Sequence, residues 1–297
     1  MIKKPLAYIM FAVWILMLSS ACSPQLVVIS PTNTLFPTAS NSPTLTITHT
    51  QLVTAALPTR TVCITLSSTP EPQPDLPPGT VNVPILLYHH VALSDTNSKY
   101  YVSPQDFEDQ IALLHEKGYH TITIAQLAEA IHDEKQFPGK TIAITFDDGD
   151  LDVYENAFPI LSKYGYIATF YVIAQAINTP TFVTTEQLIE LVNAGWEIGC
   201  HSMTHANLTE TVDLNYEMYQ SKVYIEKLLD ITVQTFAYPY GAVDERVFQK
   251  VIKYGYKAGS GLGKFTLHSS NDLYYLYRIL ILNGITIDEF NTLLGGP

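Results

Sequence analysis

The sequence predicts an α/β fold: a parallel sheet with helical crossovers, closed or nearly closed into a (β/α) barrel and forming one folded domain over residues 81–297. Two observations carry this. From residue 83 onward, short apolar runs alternate with amphipathic stretches, the pattern of successive β–α units. The runs are also apolar throughout, as expected of strands whose two faces are both covered. The unit recurs often enough within one domain to suggest closure. No repeat of fixed period is visible, and pattern alone leaves a flat doubly wound sheet open.

The chain opens with MIKKPLAYIMFAVWILMLSSAC, residues 1–22, in which two lysines, an apolar run from Leu6 to Leu18 and small residues precede Cys22. This reads as a secretion signal. Its SSAC ending resembles a bacterial lipobox, in which the cysteine is lipidated and becomes the mature N-terminus, although Leu18 stands one place further from Cys22 than usual. Ordinary cleavage and an uncleaved anchor are the alternatives; all three place the remainder outside the cytoplasm. Residues 23–80 are about half Ser, Thr and Pro, with Arg60, Glu71 and Asp75 as the charges. So few large apolar groups cannot offset the entropy of ordering, and the segment reads as an extended stalk.

The folded part then follows in order. VPILLY (83–88) is a strand. The next helix has Ser103 as its N-cap and Pro104 at its first position, buries Phe107, Ile111 and Leu114, and stops at Gly118. Strands are expected at 121–124, 141–146, 167–173, 196–200 and 232–238. Helices are expected at 125–134, 152–164, 184–193, 213–229 and 244–254, with Asp150 and Asp152 capping the one at 152. Cys22 belongs to the signal, Cys63 to the stalk and Cys200 to an apolar run, so nothing argues for a disulfide framework. A net charge of −12 disfavours a nucleic-acid partner.

Active sites of β/α barrels lie at the C-terminal ends of the strands, and four strands here end in polar clusters. VPILLY runs into His89-His90, TIAITF into Asp147-Asp148-Gly149, WEIGC into HSMTH (201–205), and TVQTFAY into Pro239-Tyr240-Gly241. Each alone has an ordinary reading as a turn, a helix cap or a buried histidine. Their conjunction at one rim is far more specific.

With TFDDG (145–149), HSMTH (201–205) and AYPYG (237–241), the chain from about 83 to 295 resembles the NodB-like polysaccharide deacetylases, carbohydrate esterases with a deformed (β/α) barrel. The resemblance implies that Asp148, His201 and His205 bind one divalent metal ion. Zinc suits two nitrogens and an oxygen, as do cobalt, nickel, iron and manganese. It further implies Asp147 as the general base for a water acidified by the metal, and the backbone N–H of Tyr240 as an oxyanion donor. Most of the family carries its general acid in a Leu-x-His motif on the last strand, yet no histidine follows Arg278. Leu87-Tyr88-His89 supplies that motif at the front instead. This arrangement resembles the poly-N-acetylglucosamine deacetylases and makes His89 the implied acid, with His90 facing the other side of the strand.

Two departures stand out. The arginine that usually orients the catalytic aspartate from the third motif is replaced by Ala237 or Tyr238; Arg278 is a candidate substitute and equally a surface or core-edge residue. No Asp-with-Trp fourth motif is evident between 256 and 280, so the group orienting His89 is unassigned. His49, His115, His120, His132 and His268 have no partner pattern. Tyr274, Tyr275 and Tyr277, among nineteen tyrosines, suit core-edge packing better than stacking on sugar. The expected function is metal-dependent removal of N-acetyl groups from a GlcNAc-containing polysaccharide at the cell surface. O-deacetylation of xylan-like glycans and non-catalytic glycan binding on the same barrel are the alternatives.

Overall fold

A computed structural model describes residues 76–94, 96 and 98–295. The signal (1–22), most of the stalk, Cys22, Cys63 and His49 lie outside the described residues. Strand β1 (Thr80–Asn82) leads into β2 (Ile85–Tyr88), then β3 (His90–Val91), which pairs in parallel with β4 (Tyr101–Val102). Helix α1 (Pro104–Glu116) is capped by Ser103, whose Oγ accepts from Asp106 N–H at 3.1 Å. There follow β5 (His120–Ile122), α2 (Ile124–His132) and β6 (Thr141–Phe146). A π-helical segment, Val153–Ala157, continues into α3 (Phe158–Lys163), then β7 (Thr169–Val172), α4 (Thr185–Asn193) and β8 (Glu197–Cys200). A second π-helical segment, Asn215–Gln220, continues into α5 (Ser221–Leu229). The chain finishes with β9 (Thr235–Ala237), α6 (Glu245–Lys253), β10 (Ala258–Ser260), β11 (Leu267–Ser269), β12 (Ile279–Leu280) and α7 (Ile287–Leu293).

The expected elements are present with shifted ends. Thr123 closes a capping box for α2, so the helix takes Ile124 from the strand expected there. The helices expected at 152–164 and 213–229 each begin with a wide π turn instead of α geometry. Such turns recur at functional sites.

Eight strands form one parallel sheet in the order β10-β9-β8-β7-β6-β2-β12, with β5 beside the start of β6. The sheet is not flat, because its two ends meet. Gly261 N–H reaches Leu276 O at 2.9 Å and Gly263 N–H reaches Arg278 O at 3.0 Å, joining the chain after β10 to the chain entering β12. Rings make that close approach tight: a Cβ on Gly261 would sit 2.3 Å from the Tyr275 ring. The result is a curled barrel with one irregular seam. β12 also lies directly against β2, with Ile279 opposite Leu86.

Side-chain alternation divides the barrel. The outward positions Leu86, Ile144, Phe146, Phe170, Ile198 and Phe236 pack under the helices in the larger core cluster. The inward positions are smaller or polar: Ala143 and Ala237 join Ile85 and Tyr171 in a second cluster floored by Ile124, Leu127 and Ile131. Gly199 is required here, since a Cβ would lie 2.4 Å from the Tyr171 ring.

Candidate active site

Asp147 extends the inward column Ala143-Thr145 of β6 into the open end of the barrel. It is buried and held by two parallel bonds from Arg278: Nη1 to Oδ1 at 2.6 Å and Nη2 to Oδ2 at 2.8 Å. Burial alone would raise its pKa, but the guanidinium charge outweighs this and, with His201, holds Asp147 down at about 2. Arg278 enters from just before β12, the strand next to β2, so an arginine from another part of the chain meets the base aspartate. Its Nε also donates to Gly261 O at 3.1 Å, fixing the fork in place.

The next residue would ordinarily point to the opposite face. Asp148 instead has φ of 74° and Gly149 96°, so the backbone reverses and both carboxylates serve one cavity. Asp148 Oδ1 is buried without a hydrogen-bond partner. Burial, then the charge of Asp147, pushes its pKa up to about 7. Facing Oδ1 are His201 Nε2 at 3.5 Å and His205 Nε2 at 3.3 Å. Ser202 and His205 also have positive φ, 65° and 63°, which lets a five-residue loop return its second imidazole beside the first.

Each imidazole is oriented from behind. His201 Nδ1 donates to Ala237 O at 2.9 Å, leaving Nε2 with its lone pair toward Asp148. His205 Nδ1 meets Tyr240 Oη at 3.1 Å. Burial lowers the pKa of both rings, to about 4 for His201, so both are neutral donors at pH 7. One donor atom from each of Asp148, His201 and His205 lies within 4.8 Å of the others. Two lone-pair nitrogens around an orphaned buried carboxylate oxygen fit a divalent cation, which would neutralise the charge that burial penalises.

Glu217 in the second π-helical segment staples the same loop. Its carboxylate accepts from Met203 N–H (3.1 Å), Thr204 N–H (3.0 Å) and Thr204 Oγ (2.7 Å). No sequence motif marks this residue; its wide turn is the only local peculiarity.

A cavity of 340 Å³ opens above the cluster, lined among others by His89, His90, Tyr100, Asp147, Asp148, Tyr240 and Arg278. His89 follows Leu87 on the inward face of β2. Its ring lies 4.8 Å from that of Tyr100, and its Nδ1 is buried without a partner. Burial lowers its pKa, against the charge of Asp147. Tyr240 sits in the third-motif turn with φ of 60°. The turn's bonds run from Gly241 N–H to Tyr238 O (2.8 Å) and from Ala242 N–H to Pro239 O (3.1 Å), and neither uses Tyr240 N–H. Its ring projects into solvent at 65% exposure.

One expectation is corrected outright. Asp150 and Asp152 do not cap the following helix: Asp152 has helical backbone angles and no capping bond. Its Oδ2 pairs with His90 Nδ1 at 2.8 Å, and Asp150 Oδ2 lies 3.6 Å from His90 Nε2. Asp152, just ahead of the π-helical segment, turns its carboxylate toward β3. Among the other side chains singled out, Tyr275 stacks on Tyr238 and bonds Gly241 O at 3.1 Å, so it buttresses the third motif from the seam. His268 is buried against Val83 O at 3.1 Å, and Cys200 is a buried free thiol bonded to Ser221.

Comparison with known proteins agrees with this geometry. A family model described as polysaccharide deacetylase matches residues 134–259, which include all three motifs but not His89. The poly-beta-1,6-N-acetyl-D-glucosamine N-deacetylase of Staphylococcus aureus is 30% identical over 200 residues, spanning 61% of this chain and 68% of that protein. Among solved structures, the deacetylase PplD of Streptococcus pyogenes, in complex with acetate, aligns with a TM-score of 0.67 at 27% identity over 73% of this chain and 99% of that one. IcaB from Ammonifex degensii aligns at 0.63 and 25% identity over 72% and 96%. A shared curled parallel barrel, the three motifs at its rim and this degree of identity together make the chain a member of the polysaccharide deacetylase family of hydrolases.

Proposed function

We propose that the protein is a metal-dependent N-deacetylase acting on a GlcNAc-containing polysaccharide outside the cytoplasm. The observation that carries this reading is the split fate of two adjacent carboxylates. Asp148 joins His201 and His205, whereas Asp147 is withheld from that trio by the two-pronged grip of Arg278 yet stays 3.9 Å from His201 Nε2. A carboxylate kept ionised beside a cation site, but not spent as a ligand, is placed to take a proton from water.

A divalent ion held by Asp148, His201 and His205, zinc first and cobalt, nickel, iron or manganese next, would supply Lewis-acid polarisation and lower the pKa of a water. The chain's own groups do the rest. Asp147 accepts the proton as the oxygen attacks the acetyl carbon. Tyr240 N–H, unused by its own turn, donates to the carbonyl oxygen as charge gathers there. His89, across the same cavity, acts in its protonated form, which the charge of Asp147 favours, and gives a proton to the departing nitrogen, which leaves poorly without one. Tyr100 and Tyr240 are exposed at the cavity edge, where an aromatic side chain can pack against the apolar face of a sugar. Arg278 answers one of the two grounds for the non-catalytic alternative, the missing third-motif arginine. The family relationship to the staphylococcal enzyme favours N-acetylglucosamine polymers. The apolar run before Cys22 supports export, by lipid anchor or plain secretion.

The test is acetate release from N-acetylglucosamine oligomers by the full chain, stripped of metal and then resupplied with single divalent ions. Release that depends on the ion is the expected result. Stoichiometric metal binding with no acetate from amides but release from acetylated xylan would overturn the substrate assignment in favour of esters.

A further inference from the structure

We infer that Asp152 is a positioning residue for the general acid, bracing the corner at which β2 hands His89 into the cavity. The inference rests on the reading of His89 as that acid. A proton donor must be aimed, yet His89 lacks the usual means: its Nδ1 is buried and has no hydrogen-bond partner. Its direction is therefore set by the backbone on either side and by the Tyr100 ring against it. Upstream, β2 is fixed by the sheet, with Tyr88 O accepting from Asp147 N–H at 3.1 Å. Downstream, β3 has only a two-residue ladder with β4, too short to hold a corner by itself.

Asp152 supplies the missing hold. One carboxylate oxygen accepts from Val91 N–H at 3.0 Å, and the other pairs with His90 Nδ1 at 2.8 Å. Asn156, one turn on and inside the π-helical segment that Asp152 precedes, donates to Val91 O at 2.8 Å. The His90 ring is clamped between this grip and the face of Tyr101, with centroids 3.9 Å apart and planes 10° from parallel. Both backbone groups of Val91 and the side chain of His90 are thus tied to the stretch 152–156, which begins four residues after Asp148. Four residues apart on one helical stretch, Asp152 and Asn156 fall on the same side. The brace links the strand carrying the acid to the chain carrying the base and a ligand, so their spacing is set locally.

The experiment compares Asp152→Ala, Asp152→Asn and His89→Ala in the full chain. It reads acetate release from an N-acetylglucosamine oligomer and from an activated aryl acetate, with metal affinity by chelator competition and thermal melting. A misplaced acid costs on the order of 10²-fold when geometry slips by an ångström. Asp152→Ala is expected to lose about that much on the amide, spare the aryl ester, whose leaving group needs no proton, and keep its metal. Asp152→Asn, which still offers an oxygen to Val91 N–H, is expected to recover most of the amide rate; it also carries the same comparison if the alanine variant fails to fold. Equal losses on both substrates, or none, in a variant that folds and binds metal would overturn the brace. If His89→Ala is itself unselective, the acid reading has failed and the brace with it. If His89→Ala is selective and the Asp152 variants are not, only the brace has failed.

Discussion

The two ends of strand β8 hold buried polar clusters on the same inward face, and they differ in whether their atoms are satisfied. At the start of the strand, Glu197 is fully engaged. One oxygen accepts from Thr235 Oγ at 2.6 Å, the other from Thr169 Oγ and Ala125 N–H at 2.9 Å each. Four residues on, roughly 13 Å along at about 3.3 Å per residue, His201 faces Asp148 Oδ1, which has no hydrogen-bond partner. Burial raises the pKa of both carboxyl groups, but only for Glu197 do hydrogen bonds answer it. A buried group fully paired by its own fold is structural; one left unpaired among neutral imidazoles awaits something the fold does not supply. The positive φ values at Asp148, Ser202, His205 and Tyr240 fall at that same end.

Four measurements test the contrast. The largest effect is expected for Asp147→Asn, which keeps the shape but removes the base and one of the two acceptors of the Arg278 fork: turnover falls by roughly 10²–10⁴ while metal affinity holds. Undiminished turnover removes Asp147 from the mechanism. Glu197→Ala should do the reverse, destabilising the fold by about 3 kcal/mol or more, because three buried donors lose their acceptor, with metal affinity of the folded protein unchanged. The urea midpoint reads this, and a neutral result would mean that water replaces the carboxylate.

The third test concerns burial without a ligand. His268 is buried, and burial lowers its pKa to about 4 against the bond to Val83 O. The imidazole is therefore neutral in the fold, whereas the unfolded chain takes up a proton near pH 6.5. Stability due to His268 is complete above about pH 6.5 and is lost as pH falls toward 4, by up to about 3 kcal/mol. The stability difference between wild type and His268→Gln should shrink by that amount over this window; a constant difference would show that His268 does not titrate. The smallest effect is the most telling one. In metal-free protein, Asp148→Asn should change stability by less than about 1 kcal/mol, or increase it, since it removes an uncompensated buried charge. The same variant should lose the stabilisation that saturating metal gives wild type, about 2.7 kcal/mol at a hundredfold excess over Kd. Destabilisation as large as that of Glu197→Ala would erase the distinction between the two ends.

The sequence by itself determined the sheet strands that carry the motifs, the order of the motifs and their place at strand ends. These are local properties: apolar runs, a cap residue such as Ser103, and turn residues after each run. It also put His89 beside the rest, through a three-residue motif and the neighbourhood of first and last strands. Tertiary structure decided which groups meet. Arg278 lies 131 residues from the aspartate it grips, with nothing in the surrounding LYRIL to distinguish it from an arginine at the core edge. Glu217 and Asp152 sit in or beside helical stretches whose composition reads as ordinary α-helix; only packing widens those stretches into π turns, with Glu217 inside one and Asp152 just ahead of the other, and sends one carboxylate to the His201–His205 loop and one to His90. The strands read as uniformly apolar because their outward residues are large, while the inward Thr145, Glu197 and Gly199 reveal a polar-lined barrel only once alternation is fixed by closure. Pairing between distant side chains depends on curvature and register, and neither is encoded in any one segment.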